Sequence, residues 1–375
     1  DKIVRIWNKK GQLVTALNGH TEPVFSATFS ENGNYILSAG MDNTVKKWYI
    51  SNYPMSFIRD RNGLNDACFS PDGKRFVTAA SINNYATIWN ENGEKMAILD
   101  ANTTNLKILA ISYSKDGNYI AGVSQKGKLL LWNKQDSYLN WVLRKTLILS
   151  EKSLKDVVFS PNSQYVAATS SDGKIGVWNM KTLRKEWEAS QETISINAID
   201  FSPNSQTIVI GMQNGNVALY DIVGKEIANF TAHKAAINSV VFSPDGQQIL
   251  SASADKTAIL WNLNKEPLNS FEAHLKSVNY AAFSPNNKYI VTASQDGGLF
   301  LWTKEGILLH EFPSFNNQAL KTVYFSADSK YLMSVSASSN NVILWTISSE
   351  KLIEKANDLD LPVLSDKTKK TYGLR

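Results

Sequence analysis

Nine times along this chain a short apolar strand ends in an aromatic residue. Eight are tryptophans (Trp7, Trp48, Trp89, Trp132, Trp178, Trp261, Trp302 and Trp345) and one is Tyr220. Successive spacings are 41, 41, 43, 46, 42, 41, 41 and 43 residues. A second phrase keeps the same beat on the amino-terminal side of the last eight aromatics. Phe69-Ser-Pro-Asp-Gly73 and Phe242-Ser-Pro-Asp-Gly246 are its fullest forms, and Phe29, Tyr113, Phe159, Phe201, Phe283 and Phe325 open variants of it. A period of roughly 20–50 residues marks a repeat architecture. The chain therefore reads as one unit copied eight times.

Residues 226–262 serve as a specimen. Glu226–Phe230 is a short apolar strand, followed by a loop that holds His233. Ile237–Phe242 is a second strand, turned by Ser243-Pro-Asp-Gly246, in which Pro presets φ and Gly accepts a positive one. Gln248–Ser253 and Ala258–Trp261 follow, separated by a tight turn at Asp255. Short strands with turn chemistry between them make an antiparallel meander. A lone four-stranded sheet leaves two apolar faces and two edges uncovered, and radial stacking of copies is the arrangement that covers both. The expected fold is all-β: a propeller of four-stranded blades over residues 1–356, then a tail (357–375) with a short helix capped by Ser365.

Composition narrows the function classes. Hydrophobic residues make up 43% of the 375, and no stretch approaches the roughly eighteen apolar residues of a membrane span. Net charge is +5, from 39 basic and 34 acidic residues, and the lysines are scattered rather than striped with aromatics, so neither nucleic acid nor membrane is an expected partner. The single cysteine, Cys68, lies within an apolar strand and reads as a spectator thiol, which fits a reducing, cytoplasmic setting. The chain has no phosphate loop, Gly-x-Ser-x-Gly elbow, His-Glu-x-x-His pair or paired cysteines for zinc. No cofactor, metal or catalytic residue is expected, and a monomeric propeller is.

The order His, Phe-Ser-Pro-Asp-Gly, Ser-x-x-x-Asp, Trp resembles the WD-repeat family of β-propellers, although Trp-Asn here mostly replaces the family's Trp-Asp. The resemblance implies a buried tetrad within one blade: a loop His, a strand Ser or Thr, a turn Asp and the strand Trp. Three units carry the full set: His20, Ser38, Asp42 and Trp48; His233, Ser251, Asp255 and Trp261; and His274, Thr292, Asp296 and Trp302. A His–Ser–Asp set also suggests nucleophilic catalysis, but a catalytic set occurs once, beside an oxyanion hole. This one recurs, so the reading is structural. Other units have lost members, with Lys126 in place of Asp and Ala168 in place of Ser.

The resemblance also implies that partners engage the face where the innermost strands begin. Those positions are Phe25, Asn65, Leu109, Lys155, Asn197, Asn238, Asn279 and Lys321, and the competing reading is that the Asn residues satisfy backbone groups at the channel mouth. The expected role is a non-catalytic scaffold for a protein partner or another domain of the same polypeptide. The alternative is a sensor or autoinhibitory domain of a larger signalling ATPase. It rests on the mid-repeat start and a weaker resemblance of the carboxyl-terminal end to the propellers of bacterial signal-transduction ATPases with numerous domains. Eight blades are preferred, closed by Leu13–Leu17 or Leu352–Lys355, and seven plus a partial unit is the other count.

Overall fold

Seven antiparallel sheets of four strands account for most of the chain. The computed structural model describes residues 64–80, 85–90, 94–101, 106–135, 140–191, 193–312, 319–326, 329, 331–336 and 341–346. Before them it describes the backbone of six strands: Ile3–Trp7, Leu13–Asn18, Val24–Phe29, Tyr35–Gly40, Val45–Tyr49 and Pro54–Arg59. The tail at 357–375 lies outside the described residues.

In chain order, blade 1 covers 64–100, blade 2 covers 108–148, blade 3 covers 154–190, blade 4 covers 196–231, blade 5 covers 237–271 and blade 6 covers 278–312. Blade 7 takes three strands from 320–346 and its fourth, outermost strand from Pro54–Arg59. That clasp runs antiparallel to Asn341–Thr346, with Trp345 opposite Pro54 and a register shift just before the tryptophan. Blade 5 shows the same pattern between neighbours in sequence, where Trp261 faces Pro267 across a shift after Leu260. The clasp is thus an ordinary outer strand supplied by the other end of the ring.

The ring accordingly has seven blades, the smaller of the two counts. Leu13–Asn18 does not close it, because that strand pairs with Ile3–Trp7. Leu352–Lys355 lies outside the described residues. Val24–Phe29, Tyr35–Gly40 and Val45–Tyr49 form a separate three-stranded sheet.

Burial follows from the radial stack. A second strand such as Gln248–Ser253 is covered on both faces by neighbouring blades, so five of its six residues are buried. An outer strand such as Glu226–Thr231 is largely exposed. Among the described residues the apolar core divides into seven clusters, each shared by two adjacent blades. The seventh joins Met333, Val335 and Val342 of blade 7 to Ala67 and Phe76 of blade 1, and so seals the closure. At the periphery, aromatics lock one blade to the next. Phe230 meets Trp261 edge-on at 5.4 Å between centroids, and Phe271 meets Trp302 at 5.5 Å.

The Ser-Pro-Asp-Gly turns explain themselves locally. Ser243 is fully buried beneath its turn, where its hydroxyl donates to Asp245 at 2.5 Å and accepts the Gln248 N–H at 2.9 Å. The last turn position needs a left-handed backbone. Gly246 supplies it at φ 70°, and Ser163 and Ser205 adopt it at 57° and 60°. Those two serines offset the strain by reaching the preceding blade, where their hydroxyls accept the Asp116 and Asn162 N–H groups.

Candidate interaction face and central channel

The blade 5 tetrad is a complete relay. Trp261 Nε1 donates to Ser251 Oγ at 2.8 Å, Ser251 Oγ meets His233 Nε2 at 2.8 Å, and His233 Nδ1 meets Asp255 Oδ2 at 2.9 Å. Burial holds the His233 pKa below its ordinary value despite the nearby carboxylate, so the ring is neutral at pH 7. Burial acts to raise the Asp255 pKa, but hydrogen bonds from Thr257 and the contact with His233 outweigh it and keep the group ionised. These protonation states fix every direction. Trp gives to Ser, Ser gives to His Nε2, and His Nδ1–H gives to Asp.

Blade 6 has the first half of this relay. Trp302 Nε1 donates to Thr292 Oγ1 at 2.9 Å, and Thr292 bonds His274 Nε2 at 2.8 Å. His274 Nδ1 then stands 3.4 Å from Asp296 Oδ2 and makes no hydrogen bond. The Asp296 carboxylate instead accepts the Leu275 and Gly298 N–H groups, each at 2.7 Å. His20 and Asp42 of the first set lie outside the described residues, as do the side chains of Ser38 and Trp48.

Blades without the histidine satisfy their aromatics otherwise. Trp89 donates to Thr78 at 2.9 Å and Trp345 to Ser334 at 2.8 Å. Trp132 reaches the Asp100 carbonyl at 2.8 Å, because Gly122 stands where blade 5 has its serine. In blade 3, Ser150 takes the place of the histidine and donates to Asp172 Oδ2 at 2.7 Å. The sequence carries that signal, since Ser150 precedes Asp172 by 22 residues, as His233 precedes Asp255.

At the end of the ring where innermost strands begin, here termed the top, the rim residues divide in two. Asn65, Asn197, Asn238 and Asn279 each donate to a carbonyl at the start of the next blade: Ile108, Ile237, Val278 and Leu320, at 2.7, 3.0, 2.9 and 2.7 Å. Lys321 continues the series across the closure, donating to Asn65 Oδ1 at 3.1 Å. Leu109 is half-buried and Lys155 exposed, and they hold the same position in blades 2 and 3. Phe25 sits in Val24–Phe29, outside the seven blades, and its side chain lies outside the described residues.

Below the rim, a channel cavity of about 120 Å³ is lined by Asp66, Asp156 and Asp200 together with Ser239, Tyr280 and Tyr324. Composition and spacing do not reveal this group. Its one trace in the sequence is an aspartate inside the innermost strand, behind the rim residue Asn65, Lys155 or Asn197. Each carboxylate spans two blades. Asp66 accepts the Ala67 N–H at 2.8 Å and the Ile111 N–H at 2.9 Å; Asp156 accepts from Val157 and Ile199; Asp200 accepts from Phe201 and Phe242. Burial raises all three pKa values, to about 6 for Asp66 and about 7 for Asp156 and Asp200, and repulsion from Asp66 and Asp200 adds to the rise at Asp156. Cys68 lines the same channel, and burial and Asp66 push its thiol pKa well up. No cluster of three or more metal-ligating side chains stands among the described residues.

A family model described as "WD domain, G-beta repeat" matches residues 11–49, 54–90, 93–133, 141–179, 181–221, 224–262 and 265–303. Those seven matches are not the seven of the ring. The match at 11–49 falls outside it, and the last repeat of the ring, 308–346, is unmatched. The chain is 27% identical over 177 residues to a protein named eukaryotic translation initiation factor 3 subunit I from Kluyveromyces lactis, covering 43% of this chain and 50% of that protein. It is 26% identical over 177 residues to the periodic tryptophan protein 2 homolog of Schizosaccharomyces pombe, covering 40% of this chain and 20% of the relative. With autophagy-related protein 16 of Arabidopsis thaliana the identity is 29% over 140 residues, covering 35% and 27%. The chain spans half or less of the length of each of these relatives.

Proposed function

The chain belongs to the WD-repeat family, and from that premise we propose that it is a non-catalytic platform that binds a partner protein through the top of its ring. Repeats of this family serve in general as protein-interaction scaffolds. The observation that carries the reading is where the polar groups go. The His233–Ser251–Asp255 set, which could be taken for a nucleophilic triad, is bonded into Trp261 and sealed within one blade, with Ser251 fully buried. The channel carboxylates are likewise bound to backbone N–H groups of adjacent blades. What the ring presents outward at the top is a set of loops carrying lysines and the exposed Leu275. A broad polar surface with isolated apolar anchors is the anatomy of a protein contact rather than of a small-molecule pocket. A cytoplasmic setting is part of the same proposal. No helix among the described residues is long and apolar enough to cross a membrane.

Capture of binding proteins by the wild type, a top variant (Leu275→Glu with Lys155→Glu) and an opposite-end variant (Leu263→Glu) tests this reading. Loss of bound proteins from the top variant alone is expected. Identical capture by wild type and top variant overturns it. Lys321 is a poor probe, because its ammonium is tied to Asn65 and sits beside Asp66.

A further inference from the structure

The circuit of rim contacts is interrupted at two adjacent blades. Five of the seven rim positions spend their side chains on a neighbouring blade, whereas Leu109 of blade 2 and Lys155 of blade 3 do not. The loops around these two residues are stitched together. Gln125 N–H donates to the Lys107 carbonyl at 3.3 Å, and Leu149 N–H donates to the Gly127 carbonyl at 3.2 Å. Gly127 itself, at φ 69°, lies so close to Ser150 and Lys152 that a Cβ there would collide with their carbonyls. Lys107, Lys126 and Lys152 therefore crowd over blade 2, with Lys155 beside them, and all four are exposed.

Lys126 is the informative member. Its turn position holds Asp172 in blade 3, Asp255 in blade 5 and Asp296 in blade 6, each bonded back into its own blade. In blade 2 the carboxylate is replaced by an exposed cation, the tetrad is abandoned and Trp132 is satisfied by a carbonyl instead. The carboxylates nearby are the exposed Glu151, Asp172 (turned inward to Ser150) and Asp100 on the outer margin of blade 1. None of the four lysines forms an ion pair among the described residues.

We propose that the top sector over blades 2 and 3 docks an acidic segment of the partner protein, with Lys107, Lys126, Lys152 and Lys155 facing its carboxylates and Leu109 seating an apolar side chain. This rests on the top-face reading above and adds the sector and the chemistry of the occupant. Four exposed lysines against one exposed carboxylate, Glu151, leave the sector net positive, a steering surface for the opposite sign. The sector holds no arginine to fork onto phosphate and no aromatic to stack on a base, which favours a carboxylate-bearing peptide over nucleic acid.

The test is fluorescence anisotropy on the whole chain with three probes: a labelled peptide of glutamates around a central leucine, the same peptide with glutamines, and a single-stranded oligonucleotide. The glutamate peptide should bind, weaken as salt rises, and lose roughly tenfold in affinity to Lys126→Glu/Lys152→Glu. It should be unmoved by Lys265→Glu/Lys288→Glu, two exposed lysines at the opposite end. Circular dichroism and melting of both variants confirm that each folds. No preference for glutamate over glutamine, equal loss in both variants, or tighter binding of the oligonucleotide each overturns the proposal. Photo-crosslinking of the bound peptide separates this outcome from failure of the broader reading. Crosslinks at the top over blades 4 to 6 sink the sector alone, while crosslinks confined to the opposite end sink both.

Discussion

Replacing Ser251 with alanine should break the blade 5 relay at its centre. Ser251 is fully buried and serves two neighbours at 2.8 Å, accepting from Trp261 Nε1 and donating to His233 Nε2. Alanine leaves an indole N–H and an imidazole nitrogen unpaired in a fully buried site. Each such orphan costs about 1–3 kcal/mol, so the expected loss is about 2–6 kcal/mol. His233→Ala should cost less, about 1–3 kcal/mol. There Asp255 keeps its bonds from Thr257, and the Ser251 hydroxyl can turn to the Ile259 carbonyl, 3.4 Å away. At about 2.1 cal/mol/K of unfolding entropy per residue, about 1 kcal/mol moves the Tm of a ring this size by roughly 1.5–2 °C, so Ser251→Ala should melt roughly 3–12 °C below wild type. The assay is thermal denaturation followed by tryptophan fluorescence and circular dichroism, with Ser270→Ala on an exposed outer strand as control. A Ser251→Ala protein that melts with the wild type, or one less affected than His233→Ala, refutes the relay and the directions assigned within it.

Other outcomes follow from the channel and the turns. Asp156 and Asp200 have folded pKa values near 7 against an ordinary 3.8, so the folded ring takes up protons that the unfolded chain does not. Stability should therefore rise as pH falls from about 8 to 7, above the ordinary imidazole value of 6.5 at which the unfolded chain begins to protonate His233 and His274 and the folded ring, with their pKa values lowered, does not. The double variant Asp156→Asn/Asp200→Asn should flatten that slope in melting curves, and an unchanged slope would place the titration elsewhere. Gly215→Ala should destabilise by about 3 kcal/mol or more, because the residue sits at φ 86° and its new Cβ would meet the His233 carbonyl. A Tm within a degree of wild type would contradict this. Cys68 should resist thiol reagents until the ring unfolds, since burial and Asp66 oppose its thiolate. Rapid labelling of the native protein would show the channel to be open.

What was legible in the sequence was whatever a strand or turn encodes by itself. Trp261 ends its strand because the aromatic must reach Phe230 on the neighbouring blade, and Ser243 precedes Pro because its hydroxyl supports the turn. The number of blades was not legible, since it depends on the wedge angle between packed sheets. Pro54–Arg59 stands a short loop after Val45–Tyr49, just as Pro267–Phe271 stands after Ala258–Asn262, yet it pairs across the ring instead. Nor was the channel group. Asp66, Asp156 and Asp200 are far apart in the chain and meet only because the innermost strands converge on one axis. The rim asparagines were visible as a periodic set, but their commitment to the next blade's carbonyls is a property of the stack.

Disulfide trapping at the clasp tests the seven-bladed closure most directly. With Cys68 replaced by serine, a cysteine at position 56 can be paired with one at 344 or with one at 47. Ser56 stands opposite Leu344 in the closed ring, whereas an outer strand folded back on Val45–Tyr49 would bring it opposite Lys47, by the register that sets Asn269 against Leu260. Oxidation should link 56 to 344 and leave 56 and 47 as free thiols. A link between 56 and 47, with none to 344, would mean that the clasp belongs to the preceding sheet and that the ring does not close at seven.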